Sequence, residues 1–319
     1  MIRKRVLLIV ILLDLFITFL AQTLGCLMYM SNSKSIMNNM AFVDVTGTID
    51  NIKYGLHFGK SVESYYGMEN LLKTVAEGAE QVDDLFIVTD EAVLFSTDAE
   101  DTLDPSILSL SAGSNQLKRD RFYCAFALTD EARLVTRAEV ADVTDEWNAY
   151  FLKMILFAAS GFLVTVGLIY LTRMIFKNRP SIGYKVAMAI IIVWVFDLGV
   201  GVGVGAYREY MASIDGMTAE IERVVRADFD RIYAQGITDD EINGTEEYFA
   251  RFSESIPEVD MIAYSASQNI FLIQTSDSYF RKVRMDYVIQ TALLLAFSIM
   301  VLAEYQLFMN GINKQEKES

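Results

Sequence analysis

Four apolar stretches, at 6–28, 150–175, 186–206 and 287–309, constrain this 319-residue chain more than any other feature. Each matches the ~20 residues that a helix needs to cross the hydrocarbon of a bilayer. In lipid the backbone must satisfy its own hydrogen bonds, so such stretches have to be helices. Composition agrees: 53% of residues are hydrophobic and the mean hydropathy is +0.28, too apolar for an ordinary soluble domain.

Charge orients the spans. Arg3, Lys4 and Arg5 precede the first, and Arg173, Lys177, Arg179 and Lys185 surround the connector between the second and third. Basic ends stay cytoplasmic. The expected topology therefore places 1–5, 176–185 and 310–319 in the cytoplasm, and 30–149 and 207–286 outside. The first apolar run is longer than a signal-peptide core and has no small-x-small cleavage site, so it reads as a retained anchor. Gly25-Cys26 has the look of a lipoprotein site, but Thr23 stands where a leucine-like residue is wanted.

The two exterior segments are acidic. Residues 31–149 carry a net charge of −12 and 207–285 carry −7, within a total of −15. That balance excludes nucleic acid as a partner, which needs a basic footprint. Cys26 and Cys124 are the two cysteines, one beside a span and one in a strand-like run, so no disulfide is expected. The single histidine, His57, excludes a multi-histidine metal site. Walker A, GxGxxG, GxSxG, HExxH and paired CxxC motifs are missing, so neither an enzyme nor a cofactor is expected.

An internal repeat links the exterior segments. At a constant offset of 177 residues, Gly59, Gly67, Glu69, Glu77, Val82 and Asp83 return as Gly236, Gly244, Glu246, Glu254, Val259 and Asp260. The first copy predicts a helix over 31–58 with Gly47 as its weak point, then a helix over 68–77. Strands at 84–89 and 92–97 follow, then a polar segment at 102–114 of open character, and strands at 121–128 and 133–140. Thr144 suits the start of a helix leading into the second span. The second copy predicts a helix over 207–232 continuous with the third span, a helix over 245–253 and strands at 261–265 and 269–275. It has no counterpart of 121–140. A lone hairpin is marginal in water, so this half-domain is expected to dock on the first or on another protomer. Met211, Ile214, Met217, Ile221, Val225 and Ile232 step by three and four as a packing seam. Asn243-Gly244-Thr245 is a formal glycosylation sequon and reads as a chance match.

The order of long helix, short helix, hairpin, variable segment, hairpin and exit helix resembles the PAS-like extracytoplasmic sensor domains of bacterial receptors called Cache domains. Residues 56–98 carry the resemblance, above all the glycine-bounded 59–67 and the run Val82-Asp83-Asp84-Leu85-Phe86-Ile87-Val88-Thr89-Asp90. It implies a small ligand, such as an amino acid, organic acid or amine, on the outer face of the sheet. The amine and amino-acid signature of that family is not evident, which leaves the ligand open. The expected fold class is thus an α-helical membrane protein with four transmembrane helices and α+β extracytoplasmic domains. The first domain is PAS/Cache-like with an antiparallel sheet, and the second is a shortened copy.

Candidate ligand contacts are His57, Tyr65, Tyr66, Arg121 and Tyr123, polar aromatics with one arginine suited to a small anion or zwitterion. The alternative is that the tyrosines pack and Arg121 is a solvated strand end. Asp14, Asp197 and Glu304 stand inside apolar spans, where a charged centre costs ~2.5–3.5 kcal/mol on insertion scales. They read as a proton or cation site, a switchable helix contact, or protonated carboxyls bonded to a neighbouring helix. Gly199, Gly201, Gly203 and Gly205 form small-xxx-small pairs that permit close helix packing.

The expected function is an extracytoplasmic sensor and signal-transducing region. Its cytoplasmic segments are too short for an output domain, so its partner is a membrane output protein, a longer receptor or a second copy. A small transporter or transporter subunit using the three acids is the alternative class, and an envelope interaction scaffold the third.

Overall fold

The structure is a computed structural model that describes residues 2–59, 61–97, 103–177, 180–238, 241–265 and 270–318. It is mostly helical with one five-stranded antiparallel sheet. The chain divides into two compact units. One holds Met1–Ser31, Trp147–Met211 and Ser278–Ser319, and the other holds Asn32–Glu146 and Ala212–Asp277.

Helix α1 runs unbroken over Ile2–His57, where the sequence predicts a span and a separate helix. Gly47 does not interrupt it; that glycine is exposed between the buried Thr46 and Thr48. Gly59 takes φ 82° just beyond the helix end, and Gly67 takes φ 82° as the N-cap of α2 (Met68–Gly78). Both lie in the left-handed region that a β-carbon disfavours.

Strands β1 (Asp84–Val88) and β2 (Val93–Ser96) form the first hairpin. A four-residue helix α3 (Pro105–Leu108) follows, capped by the Asp104 carboxylate accepting from the Ser106 N–H. Strands β3 (Asn115–Lys118), β4 (Arg121–Ala127) and β5 (Arg133–Glu139) complete the sheet in the order β2-β1-β5-β4-β3. Strand β3 is an addition to the sequence reading. Its hairpin turns on Arg119 and Asp120, both at positive φ (50° and 58°), a two-residue turn built without glycine or asparagine.

Two apolar layers sandwich the sheet. Leu85, Ile87, Phe122, Cys124 and Leu134 face α1 and α2 residues including Val45, Ile52 and Leu72. Phe86, Val88, Tyr123, Ala125 and Val135 point the other way, onto Ile107 of α3. Burial on both faces explains why β1 and β4 read as continuous apolar runs. Helix α4 spans Ala141–Ile175 and so starts three residues before the expected Thr144. The Val140 N–H bonds the Asp120 carbonyl, and the turn into the helix follows at once.

Helix α5 (Pro180–Ala234) is again continuous, and the alternating glycines do not break it. Gly244 at φ 81° caps α6 (Thr245–Ser255), which ends before Pro257. Among the described residues, strands β6 (Val259–Ser265) and β7 (Ile270–Thr275) pair only with each other, and α7 (Asp277–Glu318) follows. Helices α2 and α6 have equal length at the 177-residue offset, and Gly236 and Gly244 match the φ of Gly59 and Gly67. A second five-stranded domain does not form among the described residues. An aromatic cluster takes its place: the Phe229 ring centroid lies 5.9 Å from Phe249, 5.1 Å from Tyr264 and 5.2 Å from Phe271.

Two helical stretches are long and apolar enough to cross a membrane, Trp147–Thr172 in α4 and Lys185–Ala234 in α5. The stretches 6–28 and 287–309 lie in α1 and α7, where many side chains lie outside the described residues. In this unit Tyr29 stacks on Tyr150 at 4.2 Å. The Trp194 ring lies where a β-carbon on Gly161 would stand, 1.8 Å away, so α4 and α5 approach only because residue 161 is glycine.

Candidate functional site: a buried carboxyl pair between two long helices

Within the sheet-bearing unit, α5 lies against α1. Ile214, Met217, Ile221 and Val225, four of the six predicted seam residues, are buried; Met211 and Ile232 are half-buried. Polar groups also tie α1 to the segment that follows α5. The Asn39 amide donates to Glu258 Oε2 at 3.0 Å, in a contact where both residues are buried. Arg251 pairs with Asp50 nearer the end of α1.

Asp44 stands between the buried Val43 and Val45, and its side chain is only 1% exposed. Its Oδ2 accepts from the Gln81 N–H at 2.9 Å, and its Oδ1 accepts from Arg223 Nη2 at 3.0 Å. Glu220, 6% exposed, accepts from Arg223 Nε at 3.0 Å and shares a hydrogen bond with the Asp44 carboxyl. Glu80 adds a looser contact to the same guanidinium at 3.6 Å.

One arginine thus faces two buried carboxyls, which cannot both ionise cheaply. Burial pushes the Asp44 carboxyl up to about 7, with the Glu220 charge adding to the rise and the Gln81 and Arg223 bonds opposing it. Burial works against Glu220 as well, but hydrogen bonds from Arg223 and Asp44 outweigh it and hold Glu220 below its usual range. The pair therefore keeps one shared proton toward neutral pH.

The sequence-predicted ligand contacts divide between two places. His57 is exposed at the end of α1, its ring 5.9 Å from Phe58. Tyr65 is half-buried against the inner core, its ring over Gly55, where a β-carbon would come within 2.5 Å. Tyr66 is 96% exposed. Tyr123 is buried in the outer layer, and Arg121 is exposed at the start of the same strand, paired with Glu139 across the ladder. Tyr65 and Tyr123 thus serve opposite faces of the sheet.

The outer face, where the resemblance places a ligand, is closed by α3. Ile107 is fully buried there, and Arg133 ties the segment down by donating to the Leu108 carbonyl at 2.7 Å and to Asp90 at 2.6 Å. Lys118 adds a hydrogen bond to Ser106 at 2.8 Å and an ion pair to Asp104, which holds the Asp104 carboxyl well below its usual range. Cys124 is free and buried, its thiol pushed up to about 12 by burial.

In the apolar unit the glycines do not share one role. Gly199 is buried, a β-carbon on Gly201 would lie 3.8 Å from Phe157, one on Gly203 would meet Thr291, and Gly205 has open space around it. Asp197 is exposed on α5. The side chains of Asp14 and Glu304 lie outside the described residues.

Sequence reasoning found the apolar seam of α5 but not Asp44, Glu220 and Arg223. The available signal was a carboxylate inside an apolar seam: Glu220 falls between Met217 and Ile221, and Asp44 between two valines. Set against known proteins, the chain matches no family model, no curated protein and no solved structure.

Proposed function

We propose that the chain is a four-span membrane protein that senses a small ligand or an envelope partner outside the cytoplasm. The signal then passes along its long helices to a partner in the membrane. The spans are 6–28, 150–175, 186–206 and 287–309, with both termini cytoplasmic. Segment 30–149 is a Cache-like sensor, and 207–286 is its shortened copy, specialised for transmission.

The observation that carries this reading is the α1–α5 seam. Each helix continues without a break from an apolar segment into the seam, and there one guanidinium holds two buried carboxyls together. A seam of apolar side chains around one charged cluster suits a switch between discrete helix arrangements. The five-stranded antiparallel sheet, with α1 and α2 on one face and α3 on the other, also supports the Cache-like reading. The closed outer face makes α3 and its flanks the segment that a ligand displaces.

The test uses the full chain in nanodiscs. Amino acids, organic acids and amines are screened by thermal shift, and cysteine pairs along α1 and α5 report register. The account expects a ligand that raises the melting temperature and changes the crosslinking pattern. Crosslinks that stay constant with every ligand, together with an unmoved melting temperature, would sink it.

A further inference from the structure

On α5, Val193, Asp197, Val200 and Val204 follow one another at steps of four, three and four, which places them on one face of the helix. All four are exposed; Val193 is 67% and Val204 45% accessible. Asp197 makes no hydrogen bond or ion pair among the described residues. It sits nine residues from Ala206, about 14 Å along the helix, well inside the apolar stretch.

Beside this face, α5 and α7 enclose an open groove of about 450 Å³. Val200, Val204 and Tyr207 form one wall, and Val288, Ala292 and Leu295 the other. The helices meet at Gly203, where Thr291 Oγ1 lies 2.6 Å from the position of a β-carbon. Arg284 also lines the groove, whose walls are otherwise mostly apolar, and Asp197 lies one turn beyond Val200, toward the middle of the span.

We propose that this groove seats a transmembrane helix of a second protein, one that carries a lysine or arginine at the depth of Asp197. Charge decides the occupant. The mid-span ionisable residues of this chain, Asp14, Asp197 and Glu304, are all acids. A second copy, related by a two-fold axis, brings another carboxylate to the same depth and leaves the charge uncompensated. A basic partner supplies both the counter-charge and the hydrogen-bond donors that hydrocarbon withholds. The inference rests on the proposed topology and identifies the output partner by its chemistry.

The probe is a synthetic transmembrane helix of leucine and alanine with lysine, leucine or glutamate at its centre. Its association with the full chain is read by energy transfer in phosphatidylcholine nanodiscs. The lysine peptide is expected to bind roughly tenfold more tightly than the leucine peptide, and Asp197→Asn to remove that preference. The peptide series on the unmodified chain needs no variant to fold. Equal binding of lysine and leucine peptides would overturn the proposal, as would a lysine preference that survives Asp197→Asn. Self-association that depends on Asp197, without a lysine preference, would assign the groove to a second copy. A polarity-sensitive dye at Val193→Cys reports separately whether α5 lies in the bilayer, so a failed topology is distinguishable from a failed partner.

Discussion

Segment 32–146 closes a five-stranded sheet between two apolar layers, whereas segment 212–277 stops at two strands and fills the space with aromatic rings. Both begin alike, with a long helix, a glycine-bounded turn and an eleven-residue helix. The difference lies in what each needs from its surroundings. A sheet buried on both faces is self-sufficient, but a hairpin alone is not. The second segment gains its stability from Phe229 and its neighbours and from the seam with α1. That dependence turns two segments into one unit.

The largest expected effect tests the dependence from the aromatic side. Phe229→Ala removes the ring at the centre of the cluster and should cost about 3–5 kcal/mol. Because the unit is joined at the seam, β1 and β5 should then melt at a lower temperature together with β6. Loss of β6 with β1 and β5 unmoved would show two independent domains.

Arg223→Ala strikes the seam itself. It leaves two buried carboxyls without their cation, an expected loss of about 2–3 kcal/mol, moderated by the one-third exposure of the arginine. Chemical denaturation of the full chain in nanodiscs measures it, and an unchanged midpoint would mean that the seam contributes nothing.

The likeness of the two front halves is open to attack at their glycines. Gly67→Ala and Gly244→Ala both force a β-carbon into φ near +82° and should each cost about 1–2 kcal/mol. Clearly unequal costs would show that the shared turn carries different loads in the two segments.

The carboxyl pair predicts a pH dependence whose sign follows from linkage. Asp44 binds its proton more tightly in the folded chain than in the unfolded one, so stability falls as pH rises from the usual carboxylate range and levels off above about 7. Glu220 shifts the other way, but its effect lies below its usual range, outside this window. Melting at about pH 5 and about pH 8 should differ by about 1–2 kcal/mol, and Asp44→Asn should flatten that part of the profile. The smallest effect belongs to Arg251→Ala, which opens a half-exposed pair with Asp50 and should cost under about 1 kcal/mol.

The elements of this fold were legible where periodicity was strong. The seam of α5, the paired glycines, the hairpins of β1 with β2 and β4 with β5, and the missing strands of the second segment all follow from spacing and turn residues. Strand β3 was not legible, because its turn uses Arg119 and Asp120 in a conformation that glycine or asparagine normally marks. The continuity of α1 and α5 was only partly legible, since glycines inside a helix look like stops until packing holds them. The carboxyl site was hidden for a different reason. Asp44, Glu220 and Arg223 are ordinary charged residues in acidic segments, and only the meeting of two helices 179 residues apart in sequence buries them together.

Hydrogen exchange on the full chain, compared with Arg223→Ala, tests the joined seam most directly. The account predicts faster exchange in the variant across the seam stretches of both helices, 36–52 of α1 and 214–229 of α5, and in β6 with them. Acceleration confined to the residues around position 223, with α1 protected as before, would contradict it.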